Sequence, residues 1–501
     1  MSQIVISPFL KKVVSTTVVS LLVTVSLILT TRVLAQGLGP EEFGIYSLAR
    51  RFIANIGPLV LLSMGVSLRR YVAMGMGDND HTRYIFTAVV TVSSLMIVFA
   101  AACWVAGDVI TYSIFHDKAH TSALYASVVF IGCSSLWVVT SSTLFGLDRV
   151  GTANLLQIFI GAVFPLVLAC GFAGSGSSSQ ILLYMGLGHL ICLISLIPEL
   201  GKIRLNKPAD LYAPFVTLFK YGAPRVPGDF LFAGLFSIGP FLAAYFGNIK
   251  QAGFFVIAQY VFRVMESAIS AFGKVALPKI ASLIVQKKFE FLSAQIERLM
   301  VMIFHVGLFV TIHLSFWIRE IVLVWLGPEY SECILIMRIL IVSVSPYLAY
   351  VLLRSVVDAI EVKAVNTMNL FVSLGLSAAV SFVLYYLGFK ITGLAVGSAV
   401  GFGALGILTG LFLIRRYRFS LSGFLIWPAI LSNFVFALLV FLFKSFLAEK
   451  MDVAYLVAAG FCFEIFLFLG YLYYLSTLRV DWLLEIKRRI IKTGGARANA
   501  G

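Results

Sequence analysis

Apolar residues in this chain come in long runs, where a soluble protein would show short alternations. Runs of about 20 apolar residues are what a helix needs to cross the hydrocarbon core of a bilayer. Fourteen such spans are predicted, at about 12–35, 43–68, 84–107, 121–146, 151–173, 180–198, 213–246, 252–275, 299–325, 333–357, 364–388, 391–413, 423–446 and 453–477. The seventh is too long for one straight helix. Tyr221-Gly222-Ala223-Pro224-Arg225-Val226-Pro227-Gly228 carries two prolines and two glycines near its start, which predicts a kinked or broken helix. The first run is too long for a signal-peptide core and reads as a retained helix. The fold class expected is an all-α polytopic membrane protein.

A weak repeat organises the runs. Gly44-Ile45-Tyr46-Ser47-Leu48-Ala49 is echoed by Gly253-Phe254-Phe255-Val256-Ile257-Ala258, 209 residues later. At the same offset Arg69-Arg70 falls on Pro278-Lys279, and Phe115-His116-Asp117 falls near Leu326-Gly327-Pro328-Glu329. Two six-helix copies of like orientation are expected, related by an axis along the membrane normal, with substrate between the halves. The division is an N-terminal lobe 1–198, a linker 199–212, a C-terminal lobe 213–413, two added helices in 414–478 and a basic tail 479–501. Within the tail, Trp482–Ile491 predicts a short surface helix.

Composition sharpens this picture. The chain is 60% hydrophobic and 12% charged, with mean hydropathy +0.99, far from a soluble average. The formal charge of +15 first points to nucleic acid. Location argues otherwise. With both termini cytoplasmic, 26 of the 38 Lys and Arg fall at inside loops and edges, 7 outside and 5 within spans. That is the positive-inside bias, and no nucleic-acid partner is needed. The basic segments about 199–212, 276–298 and from 479 are expected on the anionic inner leaflet. The six cysteines form no CxxC and read as small core residues, without metal or disulfide.

The candidate chemistry is charge inside spans. Arginine near the bilayer centre costs about 2.5–3.5 kcal/mol on insertion scales, so it normally faces protein or water. In span 2, Ser47, Arg51 and Asn55 form one polar stripe, with Arg51 about 12 Å below the outer end and Arg50 beside it. The pair either anchors the helix to a neighbour or lines an aqueous cavity and binds an anion. In span 8, Gln259, Arg263, Glu266 and Ser270 share a face, and Arg263 and Glu266 are close enough in sequence to pair. The repeat sets Arg50 opposite Gln259, so Arg50 and Arg263 are expected on equivalent faces of one cavity. Span 7 adds Arg225 and Asp229, either a pair stapling the broken helix or part of ion coupling. Asp229 and Glu266 are the candidates for exchanging an arginine partner for H⁺ or Na⁺. His189, His305 and His313 read as isolated core histidines, Arg338 as a snorkelling side chain. Gly393, Gly397 and Gly401 predict tight helix packing. Glu464, near the midplane of span 14, finds no role at this level. No catalytic constellation, metal site or cofactor is expected.

Arg32-Val33-Leu34 with Leu38-Gly39-Pro40-Glu41-Glu42-Phe43-Gly44-Ile45-Tyr46 resembles the first-loop signature of bacterial polysaccharide transporters, the O-antigen and exopolysaccharide flippases. Trp325-Leu326-Gly327-Pro328-Glu329-Tyr330 and Lys220-Tyr221-Gly222-Ala223-Pro224-Arg225 are similar to that family too. The superfamily also holds multidrug extruders and the peptidoglycan-precursor flippase. The resemblance implies twelve or fourteen helices and a V-shaped cavity between two lobes. It also implies translocation of undecaprenyl-diphosphate-linked oligosaccharide across the bacterial inner membrane. Its partners are then the lipid-linked oligosaccharide and inner-membrane lipids, with a polysaccharide polymerase and a chain-length regulator as further candidates. The substrate site implied is Arg50, Arg51, Asn55, Arg225, Gln259 and Arg263, whose guanidinium groups match a diphosphate. Competing readings are a cation-coupled drug exporter of the same fold, a membrane-embedded glycan polymerase or glycosyltransferase, and an uncoupled scramblase.

Overall fold

The computed structural model describes residues 8–74, 80–200, 211–267, 289–360, 364–417 and 426–477. The predicted tail helix Trp482–Ile491, most of the linker 199–212, much of 276–298, Ser270 and Pro278-Lys279 lie outside them. Among the described residues the chain is helical with no strand. Among the described residues ten segments are long and apolar enough to cross a membrane, or eleven with the bent pair Cys333–Ile341 and Val344–Asp358 taken as one. They do not map one to one on the fourteen expected. The first two spans fall in one helical segment, Val14–Leu61, and 364–388 and 391–413 fall in another, Val365–Arg416.

Single residues interrupt these long segments. Helix α1 (Pro8–Leu61) is broken only at Gly39, with φ 74° and ψ 170°. That backbone region is essentially reserved for glycine, and Pro40 then starts the next helix with φ already set. The expected Gly/Pro turn is thus one residue wide. The same solution recurs at Leu326-Gly327-Pro328-Glu329, where Gly327 has φ 96° and ψ 175° and Pro328 opens a 3₁₀ turn. At the far end of α1, Leu62 and Ser63 take φ 48° and 50° before α2 (Met64–Met74) begins. Ser63 is held there by donating to the Asp229 carboxylate at 2.8 Å.

Contacts gather the chain into two compact units, 1–271 with 370–398, and 272–369 with 399–501. The first contains α3 (Asp80–Val105), α4 (Gly107–Phe115), α5 (Thr121–Gly146), α6 (Val150–Ile158), α7 (Phe164–Phe172), α8 (Ser178–Gly188) and α9 (Ile197–Leu200). It continues through α10 (Tyr212–Gly222), α11 (Val226–Phe246) and α12 (Ile249–Ala258). One apolar core of this unit joins Met64, Leu68 and Val72 to Ile85, Ala88, Val92, Val139 and Leu218. The seventh span is broken where expected: a 3₁₀ turn at Ala223–Arg225 separates α10 from α11.

The repeat motif is also a contact. A side chain added at Gly44 would meet the Ile249 carbonyl, and one at Gly253 would come within 3.0 Å of the Gly44 Cα. The two counterpart glycines therefore face each other where α1 crosses α12. Small residues allow such close backbone approach, and in hydrocarbon dispersion contacts drive helix association.

The second unit contains α13 (Phe289–Trp325), α14 (Cys333–Ile341) and α15 (Val344–Ile360). Helices α16 (Val365–Leu384) and α17 (Lys390–Tyr417) are shared between the two residue sets, and α18 (Ile426–Leu447) and α19 (Val453–Thr477) complete the second. Gly393 and Gly397 seat α17 on Leu384 and Ser381, as the glycine run predicts. The cysteines need a correction. All six are free thiols, but Cys170 and Cys462 are exposed on their helices, so only four are buried core residues.

Gly39→Ala is expected to destabilise the protein by about 1–3 kcal/mol although no atom lies near the added methyl, because the strain is in the backbone. Gly57, in the same helix with equally open surroundings, should accept Ala at no loss. Thermal unfolding of the two detergent-purified variants beside the wild type separates strain from crowding.

Candidate functional site

The polar stripe of α1 is buried in the first unit. Arg51 is 6% exposed, Asn55 8% and Ser47 2%, deep inside a helix that should expel charge. Asn55 makes the framework. Its amide donates to the Arg51 carbonyl at 2.8 Å and to the Ser237 hydroxyl on α11 at 2.6 Å. Arg51 donates one terminal nitrogen to the Gln259 side-chain oxygen at 2.5 Å and lies over the Phe236 ring at 5.7 Å. Three helices thus meet on one guanidinium.

Gln259 itself marks a break. It ends α12 in a turn, and residues 260–267 continue as helix beyond it. The break aims the Gln259 side chain inward, at 1% exposure. Tyr260 next to it shares a 2.6 Å hydrogen bond with Thr31 of α1.

A cavity of about 600 Å³ opens beside this junction. Arg51, Arg263, Asp229, Glu266, Phe232 and Phe236 contribute to its wall, together with hydroxyls of Ser20, Thr24 and Ser267. It holds two arginines and two carboxylates, a balanced set of charges. Arg263 is exposed to it and, among the described residues, has no hydrogen bond or ion pair. The expected Arg263–Glu266 pair is not formed. Asp229 accepts from Ser63 instead of pairing with Arg225.

Two predicted site residues lie elsewhere. Arg50 does not line this cavity; it is half-buried with its guanidinium over the Phe130 ring at 4.6 Å. The sequence repeat sets Arg50 with Arg263, but a one-residue step on a helix rotates a side chain by about 100°, and Arg51 takes that position. Arg225 donates to the Tyr221 carbonyl at 2.5 Å and stacks on the Tyr221 ring at 4.2 Å. Arg70 of α2 covers the same ring at 4.6 Å, and its hydrogen bond to Tyr221 pushes its pKa upward. Arg69 beside it lies over Phe145, and burial pushes its pKa down. Arg70 thus braces the end of α2 against α10, and Arg69 braces it against α5.

Two donors in the junction stand out. The Arg51 Nε and the Gln259 Nε2 are buried with no hydrogen-bond partner. Buried donors without acceptors are rare and expensive, at about 1–3 kcal/mol each. The two side chains meet beside the cavity, which Arg51 lines, and both ask for an acceptor. The wall therefore offers Arg51, backed by the acceptor-seeking Gln259, and the exposed guanidinium of Arg263, facing an apolar and hydroxyl-lined space. Among the described residues no cluster of His, Cys, Asp or Glu has metal-ligand geometry.

In the second unit, sequence reading misses an equally definite arrangement. His313 and Trp317 of α13 both reach Glu464 of α19, at 2.8 and 2.7 Å. Lys444 of α18 bonds the Glu320 carboxylate at 2.7 Å. The spacing 305, 309, 313, 317, 320 on α13 is a one-face stripe that could have signalled it.

The sequence profile of a family described as polysaccharide biosynthesis proteins matches residues 33–335. A Shigella flexneri protein described as a candidate O-antigen transporter is 21% identical over 311 residues, 60% of this chain and 72% of its own length. In fold, the chain is similar to the lipid II flippase MurJ in an inward closed conformation. That likeness has a TM-score of 0.71 at 13% identity, over 94% of this chain and 99% of the flippase. A multidrug-resistance MATE transporter in an inward-facing conformation aligns with a TM-score of 0.66 at 14% identity, over 80% of this chain and 98% of its own. A superfamily transporter from Pyrococcus furiosus, titled for the reversed polarity of its binding pocket, aligns with a TM-score of 0.57 over 81% and 96%.

Gln259→Leu strands a guanidinium nitrogen and should lower stability by about 1–3 kcal/mol. Adding Arg51→Met to it should recover part of the loss, because the stranded charge is then gone. Comparing unfolding midpoints of the two single variants and the double variant tests this; strict additivity would show that the two side chains do not form one unit.

Proposed function

Because the chain belongs to the polysaccharide biosynthesis protein family, we propose that it is a flippase for an oligosaccharide carried on an anionic lipid, undecaprenyl diphosphate in the reading its first-loop motif implies. Transport proteins surround it in sequence and in fold, and enzymatic readings fall away. The observation that carries the anionic cargo is the buried Arg51 guanidinium, which lines the cavity of the first unit and keeps an unmet donor at Nε beside the equally unmet Gln259 Nε2. A phosphate oxygen is an acceptor that suits the Arg51 guanidinium. Arg263, uncommitted in the same wall, supplies a second, bidentate contact. Carrying such a head group through hydrocarbon without these partners is prohibitive.

In this reading the diphosphate engages Arg51, Gln259 and Arg263, and Asn55 holds the site in shape. The glycan occupies the hydroxyl-lined part of the cavity and the acyl chain stays in lipid. Access alternates between the two faces of the inner membrane. Fourteen spans with both termini cytoplasmic fit the basic-residue bias, the breaks at Gly39 and Gly388, and the bent pair after Cys333. A polymerase and a chain-length regulator are the partners such a transporter works beside.

Asp229 and Glu266 in the same wall favour one second reading, a cation-coupled exporter of organic cations. The two readings part in one experiment. Deletion of the gene should leave lipid-linked repeat units accumulated in the inner leaflet and surface polymer lost. Unchanged surface polymer with altered resistance to cationic dyes would establish the exporter instead.

Each guanidinium–phosphate contact is worth about 1.5–3 kcal/mol, so Arg51→Ala and Arg263→Ala should each weaken cargo binding roughly ten- to hundredfold. Complementation of the deletion, scored beside membrane levels, checks this: full complementation by both variants rules the site out. For topology, a single cysteine at Glu329 in a cysteine-free background should react with a membrane-impermeant maleimide from outside, and one at Asp148 only after permeabilisation. The reverse pattern would invert the proposed orientation.

A further inference from the structure

Helix α13 carries His305, Phe309, His313, Trp317 and Glu320 on one face, a stripe about 22 Å long. It belongs to the second unit. Glu464, the stripe's partner on α19, is the twelfth residue of a 25-residue helix and so sits near its middle. Both of its carboxylate oxygens are engaged: Nδ1 of His313 lies 2.8 Å from one, and Trp317 donates Nε1 to the other at 2.7 Å. The side chains of His313 and Glu464 are 3% and 17% exposed. The seat is built for this contact. Gly460 leaves room that any side chain would take from the Trp317 ring. Phe309 stacks flat on the His313 imidazole, centroids 3.9 Å apart at 11°.

The second nitrogen of that imidazole is the unexplained atom. His313 Nε2 is buried and has no hydrogen-bond partner. With Nδ1–H donating to the carboxylate, Nε2 of a neutral ring is a bare proton acceptor. The pair then carries one net negative charge in a region where any net charge is expensive. A proton taken from water at Nε2 forms an N–H bond and turns the pair into an imidazolium–carboxylate of zero net charge. No other group has to change state. The other polar and charged groups on the packed helices lie as follows. From α18, Lys444 is neutralised by Glu320 of α13 at 2.7 Å and lies 5.5 Å from the centre of the Trp317 ring, and Arg319 approaches the same Glu320 carboxylate at 3.9 Å. Tyr471 of α19 is bonded to His305 at 3.0 Å, and Asn433 of α18 bonds within its own helix. Helix α14 presents Arg338 to a cavity of about 860 Å³ that it shares with Lys444, and α15 meets α13 at Ser345 against Gly307.

We propose that His313 and Glu464 form a proton-binding site, in which Nε2 of His313 takes up the proton and Trp317 holds the carboxylate in place. The site is separate from the cavity proposed for cargo and stands whatever that cargo is. It provides the transporter with a titratable group that H⁺ can load and discharge. Asp229 and Glu266, the carboxylates in the cavity wall, are not needed for it.

The test reads protons directly. The purified full chain in lipid nanodiscs is titrated between acid and alkaline pH, and Trp317 emission is taken as the difference between wild type and Trp317→Phe. Proton uptake is measured in parallel with a glass electrode. The expected result is one protonation step in the wild type, absent in His313→Gln and displaced by at least tenfold in proton concentration in Glu464→Gln. The electrode should read one proton fewer per chain for His313→Gln. Glu464→Gln keeps an amide oxygen for Trp317, so it preserves the fold if the histidine variant does not. A wild type with no step, or a step unmoved in Glu464→Gln, overturns the proposal.

Discussion

A guanidinium buried in an apolar helix is the constraint around which the first unit is arranged. Arg51 cannot be left in hydrocarbon alone, and its neighbours answer that demand. Asn55 ties its backbone to α11 through Ser237, Gln259 accepts from it across the helix crossing, and Phe236 covers its face. Each of those residues in turn fixes a helix. The break of α12 at Gln259 and the close approach at Gly44 and Gly253 bring the acceptor within reach. Removing the arginine would leave several costly features without a reason.

The same logic joins stability to function here. A site that satisfied every donor would be a structural staple. This one leaves Arg51 Nε and Gln259 Nε2 unmet, beside a cavity into which Arg263 also projects. The framework bonds hold the donors rigid, which is what recognition of an anionic head group needs: groups placed in advance and little reorganisation on binding. In the proposed reading, the carboxylates in the wall temper the positive field and keep binding of the anion reversible.

The second unit solves a parallel problem differently. Its buried carboxylate, Glu464, is stabilised by neutral donors, an imidazole and an indole, and no permanent cation sits on it. A permanent partner would lock the charge. In the proposed site, the histidine partner makes the charge conditional on a proton. The two units thus hold buried charge in two ways, one suited to gripping an anion and the other to responding to acidity.

Much of this was legible along the chain. Apolar runs alone determine an all-helical membrane protein, because hydrocarbon leaves the backbone no other way to satisfy its polar groups. The Gly-Pro turns were readable for the same local reason: only glycine takes the φ of Gly39 and Gly327. The stripe of Ser47, Arg51 and Asn55 was visible from helical spacing. What spacing could not decide was which of two adjacent arginines faces the cavity, since the repeat offset is uncertain by one residue and one residue turns a helix by about 100°. Nor could it show that His313 and Glu464, 151 positions apart, are partners. Each side chain is isolated in its own apolar run. Only packing of α13 against α19, through the gap left at Gly460, brings them together. Local sequence sets what each helix can be; the tertiary structure decides which buried charges meet.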